Sequence, residues 1–376
     1  MENKIKKVFV FIFIIILAFF MITTLSNNKR YSSVERRTLT TFPKINIKSV
    51  LTKKYYDTLT DAFSDQLGLR KYLVKGYFLF NFQRYFGDAV KGNNNQLYSP
   101  SQTLPSKTYY KDLENVLKKV NEEKEKTNAK FIFLSIPRKD AYMKNDLPKN
   151  YNSSYDIYQK QINIAKQVLD NDIVFIDAYQ VFDESNIYNC YYSNDHHITP
   201  RCAYLLINEI NKNTDATTYD LDDVFEIKQT IVNGAYNRQL GQTVKSKPED
   251  LYVVPKIDIN YTRYENNKLS NKKVFGKGNS YESAYMEGDM AYTKIVTDNQ
   301  NNKKVLYVGS SYTNVLEAFS IPNYKVVASI DYRHNKENKT INDYVIDNDI
   351  DYVVFVPAQS NNSFSIPQIK LHLGYK

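Results

Sequence analysis

The sequence predicts an α/β domain with a mostly parallel sheet, preceded by one N-terminal transmembrane helix. Residues 8–25 contain no charged side chain, and a helix needs about 18 or more such residues to cross a membrane. Further along, short apolar runs alternate with amphipathic stretches, a pattern typical of strands buried between helices. Thirty-three Tyr and twenty Phe residues supply ample side chains for the core of such a domain.

The apolar run and the residues that flank it predict where in the cell the protein is located. Lys4, Lys6 and Lys7 precede it, as the positive-inside rule expects of a cytosolic N-terminus. A cleaved secretory signal would have a shorter apolar core followed by a small-x-small cleavage site, and this segment has no such site. We therefore expect residues 1–28 to be an uncleaved signal anchor. The protein would be a single-pass protein of the cell membrane with its C-terminal domain outside the cytoplasm.

The exported part of the chain is basic. The whole chain has a formal charge of +9, and residues 1–28 contribute +2 through three lysines and Glu2, which leaves about +7. Such a charge bears on partners rather than on fold. Outside the cytoplasm the available anions are lipid headgroups and phosphate- or carboxylate-bearing wall polymers, so we expect no nucleic-acid partner. A generally lysine-rich composition is the alternative explanation.

Changes in composition divide the exported chain into two parts. Residues 29–105 are expected to form an entry module of helices and irregular segments, and residues 106–376 the α/β domain. Within this domain residues 211–300 are rich in Asn, Lys and Tyr and less regular, which indicates inserted loops or extra strands near the site. No internal repeat is visible.

The alternation of helices and strands is clearest after residue 106. Residues 109–126 and 158–169 carry apolar side chains on one face and charges on the other, which predicts two amphipathic helices. Short apolar runs predict buried strands at residues 130–136, 173–177, 304–309 and 351–356.

Two places in the chain combine residues suited to catalysis. Asp195, His196 and His197 are consecutive, in a chain with only four histidines. Ser311 follows a predicted strand that ends at Gly309 and precedes a predicted helix, whose free main-chain N–H groups can stabilise a developing oxyanion. A serine nucleophile needs an imidazole that removes its proton and a carboxylate that orients the imidazole. We therefore expect Asp195, His197 and Ser311 to form a triad.

Other interpretations of the histidine segment stay open. The two imidazoles could simply pack in a turn, or Asp195, His196 and His197 could bind a metal ion. A metal site would need a further ligand, for which His334 is the only candidate of note. A serine triad requires neither metal nor cofactor, and we expect none.

Three residues are candidates for contacts with the substrate or the oxyanion. Arg333 follows an apolar run, and a salt bridge with Asp331 would explain it equally well. Tyr312 either flanks the pocket or packs in the core, and Gly309 lies in the turn before the serine. The amides at residues 361–362 close the last predicted strand and are better explained as part of a surface loop.

Cys190 and Cys202 are the only cysteines, and they bracket the predicted catalytic loop. An exported chain can oxidise such a pair. Spacing in the sequence does not establish a disulfide, so the pairing stays open at this point.

Several motifs of the exported chain resemble those of the DHHW family. Residues 195–197 with Thr199 resemble the motif that names it, with Ile198 where tryptophan is usual. Ser310 stands where the family's Gly-Asp-Ser-Tyr block has aspartate, which aligns Ser311 with the family serine. Further segments match in the same order, namely residues 35–39, 42–43, 66–70 and 137–142.

By this resemblance the protein is similar to SGNH-hydrolase-like proteins that O-acetylate exported polysaccharides on a three-layer α/β fold. The resemblance implies Ser311 as nucleophile, His197 as general base and Asp195 as the residue that orients it. It also implies that the transferred group is usually acetyl and that the acceptor is a cell-surface polysaccharide or anionic wall polymer. The implied partner is a polytopic membrane-bound O-acyltransferase that brings acyl groups across the membrane.

Two other functions stay open. A carbohydrate acetylesterase would form the same acyl-serine and pass the acyl group to water. A catalytically silent scaffold subunit would keep the fold and bind polymer without forming an acyl-serine. Cytosolic DHH phosphoesterases share three letters of the motif, but they need further aspartate motifs for metals, and the predicted anchor argues against them.

Overall fold

The computed structural model describes residues 2–32, 37–81, 89–99, 105–149, 151–182, 190–240, 242–337, 339–357, 359–360 and 363–364. The chain forms two compact units, one of residues 1–88 with 237–245, the other of residues 89–236 with 246–376. The motif residues 35–36 and the amides at 361–362 lie outside the described residues.

The first unit is mainly helical. Its elements are α1 (Glu2–Leu25), β1 (Tyr31–Ser32), β2 (Arg37–Thr38), α2 (Ile47–Val50), α3 (Lys53–Gln66) and α4 (Arg70–Asn81). Within α1, the span Lys4–Leu25 has a mean hydropathy of 3.0 and is long enough to cross a membrane. The predicted apolar helix is therefore present as a candidate membrane span.

The segment at residues 66–70 ties the end of α3 to the chain that leaves α1. The Gln66 side chain donates to the carbonyl oxygens of Lys29 and Thr40 and accepts from the Lys29 N–H. The N–H of Gly68 donates to Thr24 Oγ1, and a Cβ at Gly68 would lie 1.9 Å from the Thr23 side chain. Glycine is therefore required by close approach to α1.

The second unit contains the remaining elements. Its helices are α5 (Lys107–Lys124), α6 (Lys139–Tyr142), α7 (Tyr155–Val168), α8 (Ala178–Val181), α9 (Pro200–Thr214), α10 (Leu221–Val224), α11 (Ala235–Gln239, which ends in the first unit), α12 (Tyr281–Ala284), α13 (Tyr312–Ser320) and α14 (Ile341–Asn348). Its strands are β3 (Val90–Lys91), β4 (Leu97–Tyr98), β5 (Lys130–Ser135), β6 (Val174–Asp177), β7 (Phe225–Ile231), β8 (Pro248–Pro255), β9 (Tyr261–Glu265), β10 (Lys268–Ser270), β11 (Tyr292–Thr297), β12 (Lys304–Gly309), β13 (Val326–Asp331), β14 (Tyr352–Phe355), β15 (Gln359–Ser360) and β16 (Ser363–Phe364).

An eight-stranded sheet in the order β10-β9-β11-β13-β12-β14-β5-β6 organises this unit. The five strands from β13 to β6 pair in parallel, whereas β11, β9 and β10 add in antiparallel fashion. The predicted mostly parallel sheet is confirmed, and three antiparallel strands extend it at one end. Separately, β7 and β8 form an antiparallel hairpin, so the irregular region of residues 211–300 supplies both this hairpin and the antiparallel edge.

Helices cover both faces of the sheet. The connection from β12 to β13 runs through α13, and the connection from β13 past β12 to β14 runs through α14. Such crossovers between parallel strands are right-handed as a rule. Because these two connections run in opposite directions, α13 and α14 cover opposite faces. Helix α9 packs on α13 and α5 packs on α7, while Asn342 of α14 donates to Glu123 of α5. The result is the predicted three-layer fold.

Candidate active site

Ser311 lies at the turn between β12 and α13. Strand β12 is paired in parallel with both β13 and β14. Its carboxyl end therefore lies between the carboxyl ends of these two strands, at one edge of the sheet. Ser311 occupies the N-cap position of α13, yet its hydroxyl makes no cap hydrogen bond to the helix. The N–H and Oγ1 of Thr313 both donate to the Ser310 carbonyl oxygen and fix the turn. The Ser311 hydroxyl is therefore available for another partner.

Gly309 allows this turn to pack closely against the neighbouring strand. A Cβ at Gly309 would lie 2.5 Å from Thr313 Cγ2 and 2.9 Å from the Val356 carbonyl oxygen. Its own carbonyl oxygen accepts from the Tyr332 N–H at 3.3 Å. Gly309 is thus explained by the close approach of β12 to the chain after β14, and the structure gives it a packing role.

Asp195 and His197 lie in a loop whose two ends are fastened together. Cys190 and Cys202 form a disulfide with Cα atoms 5.1 Å apart, which settles the pairing that the sequence left open. Next to it, the Thr199 N–H donates to the Cys190 carbonyl oxygen at 2.9 Å. At the tip, the N–H of His197 donates to Asp195 Oδ1 at 3.0 Å. The loop therefore presents the two side chains in a fixed relation.

The three predicted residues meet in the structure. Nδ1 of His197 lies 2.7 Å from Asp195 Oδ1, and Nε2 lies 2.9 Å from Ser311 Oγ. The second carboxylate oxygen of Asp195 accepts from the Ala235 N–H at 2.6 Å. Asp195, His197 and Ser311 are all buried, with exposed fractions of 0, 2 and 6 %. This is the hydrogen-bond order that a serine triad requires.

The electrostatic environment keeps the aspartate ionised. Burial by itself raises the pKa of the Asp195 carboxyl, but the charges of His197 and His196 and the hydrogen bonds from His197 and Ala235 hold it well below its ordinary range. Burial and the neighbouring His197 lower the pKa of His196. An ionised Asp195 accepts the Nδ1 proton, which leaves Nε2 free to accept a proton from Ser311.

Lys139 and Glu249 hold the main chain that leads into Asp195. The buried ammonium of Lys139 donates to the carbonyl oxygens of Leu97, Tyr192 and Ser193 at 2.8, 2.7 and 2.9 Å. Glu249 of β8 accepts from the N–H and the hydroxyl of Ser193. Burial lowers the pKa of Lys139 and raises that of Glu249. Together the two residues fix the main chain two residues before Asp195.

Aromatic rings enclose the imidazole of His197. The Tyr281 ring stacks on it with centroids 3.7 Å apart and planes 3° from parallel. The Tyr312 ring lies 5.3 Å away, and its hydroxyl donates to the His196 carbonyl oxygen at 2.8 Å. Tyr312 therefore both flanks the site and fixes the loop, which joins the two interpretations that the sequence left open.

The remaining candidates lie in a separate cluster. Arg333 pairs with both oxygens of Asp331 and donates to Asp289 Oδ2 at 2.8 Å. His334 Nε2 lies 3.9 Å from the same Asp289 oxygen. Asp289, Asp331 and His334 thus form one group of possible metal ligands, and Asp195 with the histidine pair forms another. The structure does not bring His334 to the triad, and it favours the salt-bridge explanation of Arg333.

Sequence reasoning missed three of the supporting residues. Lys139 lies in the post-strand segment at residues 137–142, where its match to the family pattern was the available signal. Glu249 and Tyr281 come from the irregular region of residues 211–300, in which neither spacing nor periodicity distinguishes them from other polar and aromatic residues.

Comparisons with known proteins agree with this architecture. PatB1 of Bacillus cereus superposes with a TM-score of 0.61 at 22 % identity, covering 77 % of this chain and 99 % of that chain. A DHHW family protein from Eubacterium siraeum superposes with a TM-score of 0.58 at 23 % identity, covering 76 % of this chain and 98 % of that chain. Another structure of PatB1 carries a sulfonyl adduct. At these identities the likeness concerns the fold.

A match to a protein-family model identifies the family of this chain. No curated protein matches the chain, but a family model described as the SGNH hydrolase-like domain of the acetyltransferase AlgX matches residues 90–321, more than half of its length. The resemblance found in the sequence motifs is thereby confirmed, and the chain belongs to the AlgX family of SGNH hydrolase-like acetyltransferase domains.

Proposed function

We propose that this protein is a serine-dependent O-acetyltransferase that acetylates a cell-surface or wall polysaccharide outside the cytoplasm. The observation that carries the proposal is the chain of short contacts from Asp195 Oδ1 through His197 to Ser311 Oγ, at 2.7 and 2.9 Å. Membership of the acetyltransferase family supports acetyl transfer as the reaction class.

In the first half-reaction Ser311 becomes acetylated. Its Oγ attacks the carbonyl carbon of the acetyl donor while His197 Nε2 takes the hydroxyl proton. The imidazolium is stabilised by ionised Asp195. When the tetrahedral intermediate collapses, the bond to the leaving group breaks, and the leaving group takes the proton from His197. Acetyl-Ser311 remains.

In the second half-reaction the acetyl group passes to the polymer. A sugar hydroxyl gives its proton to His197 and attacks the acetyl carbon, and the collapse returns that proton to Ser311 Oγ. The product is an O-acetyl ester on the polymer and free enzyme. Water in place of the sugar would give an acetylesterase through the same steps.

The start of α13 offers main-chain donors for the oxyanion. The N–H groups of Thr313 and Asn314 donate to the carbonyl oxygens of Ser310 and Ser311. We assign the N–H of Ser311 itself as an oxyanion donor, since it precedes these paired groups and lies at the positive end of the helix.

The anchor and the charge suggest where the enzyme works and with what. We assign residues 1–28 as a retained signal anchor, residues 29–105 as an entry module and residues 106–376 as the exported catalytic domain. The acetyl donor would come from a polytopic membrane-bound O-acyltransferase, and the basic charge suits an anionic wall polymer as acceptor. A mature N-terminus near residue 28, or a C-terminus resistant to external protease, would contradict this topology.

Intact-protein mass spectrometry tests the mechanism. The full-length protein in detergent is mixed briefly with an activated acetyl ester, and peptide mapping then locates the label. We expect one acetyl group on Ser311, with no acetyl-serine in Ser311→Ala and normal labelling in Ser310→Ala. Adding de-acetylated wall polymer should discharge the acetyl-enzyme faster than buffer does and yield acetylated polymer.

The outcomes separate the competing functions. If the acetyl-enzyme releases only acetate, at a rate that added polymer does not change, the protein is an esterase. Absence of any acetyl-serine, in a protein that still binds polymer and is still needed for surface acetylation, would make it a scaffold subunit.

A further inference from the structure

Tyr281 contacts both His197 and Ser311, although the mechanism above assigns it no role. Its ring lies parallel to the His197 imidazole at 3.7 Å, and its side chain is fully buried. Asp195 and Ser311 already bind the two imidazole nitrogens. The contact with Tyr281 therefore fixes the remaining freedom of the ring, which is rotation out of its plane.

The hydroxyl of Tyr281 is inserted into the first turn of α13. It donates to the Ser311 carbonyl oxygen at 2.7 Å and accepts from the Val315 N–H at 3.3 Å. In a regular α-helix the N–H of Val315 would donate directly to the carbonyl of Ser311, four residues earlier. The hydroxyl takes the place of that bond, and the Ser311 carbonyl also accepts from the Asn314 N–H at 3.2 Å. Burial raises the pKa of Tyr281 well above its ordinary value, so the hydroxyl keeps the proton that it donates.

The position of Tyr281 is itself fixed by the start of α12. The hydroxyls of Ser280 and Ser283 form a capping box there, and they lie 2.8 Å apart. A Cβ at Gly278 would lie 2.0 Å from the Ser283 hydroxyl, so the segment before α12 packs directly against the cap. Tyr281 is thus held on a rigid support that belongs to neither the histidine loop nor the serine turn.

We propose that Tyr281 is a positioning residue that sets the distance between His197 and Ser311, with its ring holding the base and its hydroxyl bridging Ser311 and Val315 in the first turn of α13. The ring face also stabilises the positive charge that His197 gains when it takes the serine proton, as aromatic faces do for cations within about 6 Å. This inference rests on the proposed function, because it concerns the same acyl-serine chemistry.

Conservative variants of the full-length protein separate the two contacts. Tyr281→Phe keeps the ring and removes the hydroxyl, so the first turn should close into the regular helix bond and move Ser311 relative to His197. We expect kcat for ester hydrolysis to fall by about tenfold to a hundredfold, since a displacement of about 1 Å can cost that much. KM should stay within about twofold, and the thermal midpoint should change little, because the helix bond replaces the lost contacts.

Tyr281→Leu additionally removes the ring face. The acid limb of the kcat/KM profile should then move to lower pH by roughly half a unit, because the imidazolium loses the stabilisation from the ring. In Tyr281→Phe this limb should stay where it is in the wild type. A purely structural role for Tyr281 would not separate the two variants in this way.

Tyr307→Phe is the matched control. It also removes a buried tyrosine hydroxyl next to α13, but at the far end of the helix, where that hydroxyl lies 2.7 Å from Ser320 Oγ. We expect it to lower the thermal midpoint and leave kcat within about twofold of wild type.

The comparison with Ser311→Ala keeps this inference distinct from the proposed function. A Tyr281→Phe protein with wild-type kcat, measured alongside an inactive Ser311→Ala, would overturn the positioning role and leave the triad standing. An active Ser311→Ala would instead overturn the proposed function. The phenylalanine variant decides the inference even where the leucine variant does not fold.

Discussion

Nε2 of His197 lies 2.9 Å from Oγ of Ser311, although the two residues are 114 positions apart in the sequence. The serine turn follows β12, whereas the histidine loop follows β6, three places away in the sheet order β12-β14-β5-β6. At a strand spacing of about 4.8 Å the loop must span roughly 14 Å along the sheet edge. The contact therefore depends on whatever supports the loop over this distance.

Lys139 provides that support, because it follows β5, which lies between the two strand ends. In Lys139→Met the carbonyl oxygens of Leu97, Tyr192 and Ser193 lose their common donor. The N–H groups of Leu97 and Asp195 still donate to Ser193 and Tyr192, but a hydrogen bond from a charged donor contributes about 1.5–3 kcal/mol, so losing three of them should loosen the loop. We expect kcat for ester hydrolysis to fall more than tenfold with a smaller change in KM, as measured by steady-state kinetics on the folded variant.

Lys144→Met is the control for this prediction. Lys144 lies five residues further on, and its ammonium sits 3.5 Å from the centre of the Tyr155 ring without a hydrogen bond to the histidine loop among the described residues. It should retain kcat within about twofold. Equal losses in the two variants would show that a general effect of lysine removal, rather than support of the loop, lowers the rate.

The Cys190–Cys202 disulfide should stabilise the loop that carries Asp195 and His197. It joins residues 12 positions apart, and closing a loop of about 15 residues is worth about 3 kcal/mol in the chain-entropy account. We expect reductant to lower the thermal midpoint of the wild type. It should have no effect on a Cys190→Ala/Cys202→Ala variant, whose midpoint should already be low.

Thiol labelling checks the premise of that prediction. The disulfide pairs both cysteines of the chain, so a thiol reagent should modify neither residue before reduction and both residues after it. Labelling of both cysteines in unreduced protein from the native source would contradict the bond.

The ionised Asp195 should make the fold sensitive to acid. Its pKa is held well below the ordinary range by His197, His196 and Ala235 against the opposing effect of burial. The resulting stability is fully present above the ordinary aspartate pKa of about 3.9 and is lost as pH falls through the lower native value. The thermal midpoint of Asp195→Asn should therefore lie below that of wild type at pH 7, by a gap that narrows below about pH 4.

Asp349→Asn serves as the comparison for the acid prediction. Asp349 is 92 % exposed and pairs with Lys304 at the surface, where such pairs contribute little. Its midpoint should follow that of wild type at every pH. A gap for Asp195→Asn that stays constant from pH 7 to pH 3 would mean that the carboxylate charge does not stabilise the native state.

The sequence was sufficient to locate the triad because each member lies in a locally distinctive pattern. Ser311 lies two residues after an apolar strand, and Asp195 and His197 share one of the few segments that contain histidine. The residues that position the triad could not be predicted, because they lie in no distinctive local pattern. Tyr281 is one of 33 tyrosines, and its role depends on a stacking contact with a residue 84 positions earlier, which no local pattern encodes. The antiparallel edge formed by β9–β11 was expected only as loops or extra strands within residues 211–300, because its strands mix buried and half-exposed residues and lack the continuous apolar runs of the parallel strands.

The triad predicts a specific pattern of losses among neighbouring residues. Ser311→Ala removes one hydroxyl that makes no helix-cap bond, so acetyl-enzyme formation should disappear while the thermal midpoint changes little. His197→Ala should be nearly as inactive, because a serine hydroxyl is a poor nucleophile unless its proton is taken. Asp195→Asn should lower kcat by about 10⁴, as in other triads where the amide favours the wrong tautomer. Since triad members act as a unit, the double variant at Ser311 and His197 should be little worse than either single variant.

Ser310→Ala and His196→Ala are the internal controls, since each changes a residue adjacent to a triad member. The contacts that Ser310 and His196 make to Thr313 and Tyr312 use their main-chain carbonyl oxygens, which alanine retains. Both variants should therefore keep substantial activity, with some loss in His196→Ala because its ring packs 3.9 Å from that of His197. An inactive Ser310→Ala beside an active Ser311→Ala would move the nucleophile by one residue. Full activity in both serine variants would remove the acyl-serine from the mechanism, because no other hydroxyl among the described residues hydrogen bonds to His197 Nε2.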